Sequence, residues 1–320
     1  MDGNGCEAYI GTMTTRLYTH PVFLDHLTPT GHPERPDRLR AIERVLEDER
    51  FSLLERTLAP RGAEESILAV HPREFVEGIK AAIPEEGLRR LDADTAVSPK
   101  SWEAALYAVG AANAAVDDVF SGAAANVFVA ARPPGHHAEH DRAMGFCLFN
   151  NAAIAARHAQ TAHGAERVAI VDFDVHHGNG TQDIFWQDPT VLYCSTHQMP
   201  LYPGTGAKDE TGVGNIVNAP LPPESGGDSF REAFSSRILP AVEAFQPDLV
   251  IVSAGFDAHY RDPLAELNLV EDDFDWATAK LMEQAARWSS NRLVSLLEGG
   301  YDLEGLAFSA AAHVKRLMEG

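Results

Sequence analysis

The stretch Val168–Gly180, reading VAIVDFDVHHGNG, constrains this chain more than any other. It opens as an unbroken apolar run rich in β-branched residues. That is the pattern of a strand buried on both faces of a parallel sheet. Asp172, Asp174 and His176 then alternate, so an extended backbone points all three to one side. Gly178 and Gly180 stop the strand and permit tight turns. The carboxyl ends of such strands are where open α/β sheets bind ligands. Two carboxylates buried there cost several kcal/mol per ion unless a metal or a set of donors compensates. A carboxylate followed two residues later by an imidazole is half of a zinc site.

The rest of the chain alternates in the same way. Arg16–Thr19, Asn126–Ala131, Thr190–Ser195, Asp248–Ser253 and Arg292–Leu297 read as strands. Pro36 suits the first turn of a helix running to Leu46. Glu64–Val70 and Arg73–Ile83 suggest two short helices. Ser101 is expected to cap an Ala-rich helix reaching about Phe120. Further helices are expected over Leu148–Thr161, Phe230–Phe245, Phe274–Trp288 and Leu306–Met318. Strands alternating with helices predict an α/β fold, a parallel sheet with helices on both faces. No linker or internal repeat divides the 320 residues, so one domain is expected, its core spanning about residues 16–318.

Composition narrows the function. The 47 acidic and 26 basic residues give a net charge of −21, which repels a phosphate backbone and disfavours direct nucleic-acid binding. The same surface attracts cationic substrates. Three cysteines, Cys6, Cys147 and Cys194, make no disulfide framework and fit a reducing compartment. Met1–Tyr18 lacks the pattern of a signal peptide. No apolar run approaches the roughly 20 residues of a membrane helix. A cytoplasmic protein is expected, and a homo-oligomer is compatible with the sequence.

The polar residues cluster at strand ends. His136/His137, Asp172/Asp174/His176, Asp257/Asp262 and Tyr301 all follow the carboxyl end of a predicted strand, so a parallel sheet brings them to one edge. Asp174, His176 and one of Asp257 or Asp262 supply three ligands for a metal with a fourth position open. His136 and His137 offer a general base and a second titrating group. Tyr301, between glycines and Asp302, can donate to an oxyanion. This set describes metal-assisted hydrolysis of an acyl group.

Six motifs then appear in order between residues 32 and 302: His32-Pro-Glu-Arg-Pro-Asp-Arg38, Arg132-Pro-Pro-Gly-His-His137, Gly145-Phe-Cys-Leu-Phe-Asn150, Asp172-Phe-Asp-Val-His-His-Gly-Asn179, Ser253-Ala-Gly-Phe-Asp-Ala-His259 with Asp262-Pro263, and Glu298-Gly-Gly-Tyr-Asp302. With them the chain resembles the histone deacetylase superfamily, which includes acetylpolyamine amidohydrolases. The resemblance implies the arginase/deacetylase fold, a single domain with an eight-stranded parallel sheet between helices. It implies one catalytic zinc held by Asp174, His176 and Asp262. His136 and His137 match the paired histidines and Tyr301 the carbonyl-polarising tyrosine. Asp172 is the partner of His136, and Asn179 stands where many relatives carry the aspartate partner of the second histidine. Gly145 and Phe146 would line an acyl-lysine channel with Tyr202 opposite, Leu264 at its mouth and Asp94 on its rim. Arg38 matches an arginine of an inner acetate-release cavity. One or two structural potassium ions are implied, the first at Asp172, Asp174, His176, Ser195 and Thr196, the second at Phe185, Asp188 and Val191.

The expected activity is zinc-dependent deacylation of acetyl-lysine or a related acylated amine. His137 acts as general base and Tyr301 polarises the carbonyl. The alternative is an acetylpolyamine amidohydrolase, although Leu264 puts no carboxylate at the mouth.

Overall fold

The apolar runs lie side by side in the computed structural model, which describes residues 14–320. Cys6 and residues 1–13 of the stretch read for a signal peptide lie outside that range. In chain order the elements begin with β1 (Thr15–Thr19), α1 (Asp37–Val45), β2 (Glu55–Leu58), α2 (Glu64–Leu68) and α3 (Arg73–Ala82). A small antiparallel pair, β3 (Arg89–Arg90) and β4 (Ala96–Val97), precedes α4 (Ser101–Ser121) and β5 (Asn126–Val129). Then come α5 (Asn151–His163), β6 (Val168–Asp172), α6 (Asn179–Phe185), β7 (Val191–Gln198) and β8 (Ile216–Leu221). The chain closes with α7 (Gly227–Ala233), α8 (Leu239–Phe245), β9 (Leu249–Ala254), α9 (Glu271–Trp288), β10 (Leu293–Leu297) and α10 (Leu303–Glu319).

Eight strands form one sheet in the order β2-β1-β5-β10-β9-β6-β7-β8, every pair parallel. The expected fold class is the observed one, a single α/β domain. Every residue of β5, β6, β9 and β10 is buried, as continuous apolar runs require. Asp172 pairs in register with Ser253 on one side and Ser195 on the other. The ends of β6, β7 and β9 therefore lie level, and the loops after them open on one edge.

Besides the small β3–β4 pair, two strands of the main sheet escaped the sequence reading, and both are edge strands. β2 is the exposed, polar segment Glu-Arg-Thr-Leu and shows no apolar run. β8 contains Pro220, which an edge strand tolerates. The expected helix over 230–245 is instead two α-helices joined by a π-helical turn, Phe234–Ile238. Ser101 does not cap α4 but lies inside its first turn, where its Oγ accepts from the Ser98 backbone N–H at 2.7 Å. α6 was not anticipated either, because the glycines before it read as a turn alone.

One side chain ties these parts together beneath the site. Asn150 is fully buried and caps α5, its Oδ1 accepting from the Ala153 N–H at 2.9 Å. Its Nδ2 donates to the Ala138 carbonyl at 3.2 Å and to Thr181 Oγ1 at 3.0 Å. It thus joins α5, the loop carrying the paired histidines and α6. Asn150→Ala removes a cap and strands buried polar groups, so a loss of about 2–4 kcal/mol is expected in urea unfolding. A change below about 0.5 kcal/mol would remove Asn150 from this role.

Candidate active site

The loops after β5, β6, β9 and β10 converge at the carboxyl edge of the sheet. Asp174, His176 and Asp257 present ligand atoms that all lie within 4.8 Å of one another. His176 Nδ1 is 3.2 Å from Asp174 Oδ1 and 3.0 Å from Asp257 Oδ2. Asp257 Oδ1 accepts from the Val175 N–H at 2.9 Å, and Asp174 Oδ2 accepts from the Gly299 N–H at 2.7 Å. A Cβ at Gly299 would collide with the carboxylates of both Asp174 and Asp257, so only glycine lets that loop approach.

Asp262, expected as the third ligand, is not in this set. Its Oδ1 accepts from the Leu264 N–H at 3.0 Å, and its Oδ2 from the N–H groups of Tyr301 at 2.6 Å and Asp302 at 3.2 Å. Those bonds leave Asp262 Oδ1 a further lone pair, and Asp174 likewise accepts from the N–H groups of His176 and Gly299 on its two oxygens. Asp257 is the carboxylate in contact with His176, and Asp262 also holds the Tyr301 loop from one side. Arg38 holds it from the other, donating to the carbonyls of Gly300 and Glu298 with its guanidinium 4.9 Å from the centroid of the Tyr301 ring.

The paired histidines have unlike partners. His136 Nδ1 lies 3.0 Å from Asp172 Oδ2, which also accepts from the Tyr193 hydroxyl at 3.0 Å. Burial alone would lower the pKa of His136. The carboxylates of Asp174 and Asp172 outweigh it and hold the imidazole well above its ordinary value. His137 Nδ1 lies 2.8 Å from Asn179 Oδ1. Burial, then the charges of His136 and His176, push its pKa well below the ordinary value, and the amide adds no opposing charge. The rings stand 4.0 Å apart between centroids. Desolvation also pushes the Tyr301 phenol well above its usual range, keeping it a donor.

Glu298 and Tyr193 were given no role in the sequence reading. Glu298 Oε2 accepts from the N–H groups of Gly135 at 2.7 Å and His136 at 3.1 Å, fixing the histidine loop. Burial raises its carboxyl to about 7. A charged residue closing the apolar run of β10 was the available signal. Tyr193 sits mid-run in β7, where nothing distinguished it from core.

The expected channel residues gather around this centre. The Tyr202 ring lies 5.2 Å from that of His137, and the Phe146 ring 5.7 Å from that of Tyr301. Gly145 has φ +55°, and a Cβ there would strike the His137 ring. Phe146 has φ 70°, a left-handed conformation uncommon outside glycine, steadied by its N–H donating to Thr95 Oγ1 at 3.1 Å. Asp94 lines a surface cavity of about 280 Å³ with His32 and Arg90. Leu264 is half-buried, next to Asp262.

The donor set fits a divalent cation. Asp174 and Asp257 are buried together, and burial with Asp174 nearby raises Asp257 to about 7. A cation would relieve that charge, and two carboxylates with one imidazole suit zinc. Around the first potassium set, Thr196 Oγ1 is buried without a hydrogen-bond partner among the described residues, a polar atom that a cation would satisfy. At the second set the carbonyls of Phe185, Asp188 and Val191 converge, with Asn215 Nδ2 at 2.8, 2.9 and 2.9 Å from them. Asn215 is a residue the sequence reading missed.

Comparison with known proteins places nearly the whole chain in one family. Residues 32–317 match the histone deacetylase domain. An uncharacterized protein of Synechocystis is 45% identical over 92% of this chain and 97% of its own length. The histone deacetylase-like amidohydrolase of Pseudomonas aeruginosa is 40% identical over 90% of this chain and 77% of its own. Among solved structures, the HDA15 HD domain superposes with a TM-score of 0.91 at 38% identity, covering 96% of this chain and 90% of that one. Matched along almost its whole length and carrying the paired histidines beside an Asp-His-Asp cluster, the chain belongs to the histone deacetylase family.

Proposed function

We propose that this protein is a zinc-dependent deacylase that hydrolyses acetyl-lysine or a related acylated amine. The observation that carries the reading is the pair of neighbouring imidazoles with unlike partners beside the Asp174, His176 and Asp257 set. When held there by Asp174, His176 and Asp262, zinc supplies Lewis-acid activation of the amide carbonyl and of water. His137, kept neutral, takes a proton through Nε2 as the water oxygen attacks the carbonyl carbon. The Tyr301 hydroxyl donates to the oxygen on which charge develops. The carbon–nitrogen bond then breaks, and an imidazole returns the proton to the departing amine. His136 stays cationic beside Asp172 and stabilises negative charge without taking the proton. Unlike environments that push two titrating groups apart are how acid and base roles are divided. The aromatic walls Phe146 and Tyr202 fit a flexible aliphatic acyl-amine between them. We assign a structural potassium to the first set. The absence of any described helix long and apolar enough to cross a membrane is compatible with a cytoplasmic site of action.

Elemental analysis is expected to give one zinc and one or two potassium ions per chain. Asp262→Ala should abolish zinc binding. Asp257→Asn should retain zinc and weaken its hold by loosening His176, whose Nδ1 lies 3.0 Å from Asp257 Oδ2. Zinc lost from Asp257→Asn and kept by Asp262→Ala would reverse the ligand assignment.

With an acetylated fluorogenic lysine, wild-type protein should turn over and a hydroxamate should inhibit it. Tyr301→Phe should keep its zinc and lose on the order of 10²–10³ in kcat, the usual cost of one oxyanion donor. A mutant within about threefold of wild type would remove Tyr301 from the mechanism.

Asn179→Asp places a carboxylate beside His137 and raises its pKa. The base is then protonated at higher pH, so the acid limb of kcat/KM should move up the pH scale with zinc content unchanged. A limb that stays, or moves down, would show that His137 is not the base or that Asn179 is not its partner.

A further inference from the structure

The Asn179 side chain touches more than the histidine. Its Nδ2 donates to Glu139 Oε1 at 2.7 Å and approaches Met144 Sδ at 3.3 Å, while its Oδ1 faces His137 Nδ1 at 2.8 Å. Asn179 is buried, and Glu139 is half-buried at the turn that follows the histidine loop. The Glu139 backbone N–H bonds the Arg142 carbonyl at 3.0 Å, which anchors that turn. Asn179 backbone atoms are held separately, since α6 begins there and its N–H donates to the His177 carbonyl at 2.9 Å.

An amide flanked by two groups has two orientations, related by a half-turn about its terminal bond. One presents oxygen to His137, the other nitrogen. With nitrogen toward His137, Nδ1 would have to accept and the proton would sit on Nε2, where the base needs a lone pair. Such an imidazole cannot take a proton from water. An ionised carboxylate only accepts, so it bonds the amide nitrogen and repels the amide oxygen. Glu139 therefore decides which way Asn179 points. The orientation passes along the chain from carboxylate to amide to imidazole.

We propose that Glu139 is a positioning residue for the general base: it locks the Asn179 amide so that His137 carries its proton on Nδ1 and presents Nε2 to the attacking water. A relative with aspartate at this position needs no such lock, because both oxygens of a carboxylate accept. Asparagine needs one. The device lets the chain fix the tautomer of His137 while keeping formal charge one residue further from it. The inference rests on the assignment of His137 as base.

The test uses the full-length, zinc-loaded enzyme and an acetylated fluorogenic lysine. Glu139→Ala should lower kcat by about 10- to 100-fold, the usual cost of losing a group that orients an essential residue. KM should change by less than about threefold, because Glu139 touches no substrate in this account. Glu139→Gln should recover most of the loss, since its amide oxygen still accepts from Asn179 Nδ2. In an Asn179→Asp background the sign should reverse. There, two carboxylates face each other, and Glu139→Gln should raise kcat/KM by relieving the repulsion. Full activity in Glu139→Ala would overturn the proposal. So would equal losses in Glu139→Ala and Glu139→Gln, or the same loss whether residue 179 is Asn or Asp, since a merely structural carboxylate would behave that way. Failure here is separable from failure of the catalytic reading: an inactive His137→Ala beside a fully active Glu139→Ala would sink the lock and spare the base.

Discussion

Four carboxylates buried at one end of a parallel sheet are the constraint on which this structure depends. Asp172, Asp174, Asp257 and Glu298 are each almost wholly removed from water. Burying charge without compensation costs several kcal/mol per ion. Backbone N–H groups of Val175, Gly299, Gly135 and His136 meet part of that cost. His136 and His176 meet another part. What remains is a deficit of positive charge around Asp174 and Asp257. The rest of the edge is arranged to tolerate it: Gly299 comes close because it has no side chain, and Asp262 and Arg38 clamp the loop that follows.

That charge distribution separates two chemically identical side chains. His136 points its Nδ1 at a carboxylate and His137 points its own at an amide, although the two are adjacent in sequence. One imidazole is favoured as a cation and the other as a neutral base. The division comes from β6 and α6. The first ends in Asp172, and the second begins at Asn179. A few residues of chain therefore assign both roles.

Much of this was legible before any coordinates. The buried run at 168–172 announced a central parallel strand, and the polar residues after each strand marked the working edge. Asp172 and Asn179, expected beside the paired histidines, lie 3.0 and 2.8 Å from them. The failures have physical causes. β2 and β8 are edge strands, so they carry polar residues or proline in place of an apolar run. The contact of Asp257 with His176 was not read, because Asp257 and Asp262 follow the same strand and spacing along the chain does not say what each carboxylate touches: Asp257 meets His176, and Asp262 accepts from Tyr301, Asp302 and Leu264. Asn215 and Glu139 were invisible for a related reason. Each acts on atoms far away in sequence, and neither sits in a pattern that marks it.

The most direct test of the account is anomalous diffraction at the zinc absorption edge from crystals of the zinc-loaded protein. The account predicts one strong peak, about 2.0–2.2 Å from the side chains of Asp174, His176 and Asp262. A peak coordinated by Asp257 in place of Asp262, or no peak at this edge of the sheet, would contradict it.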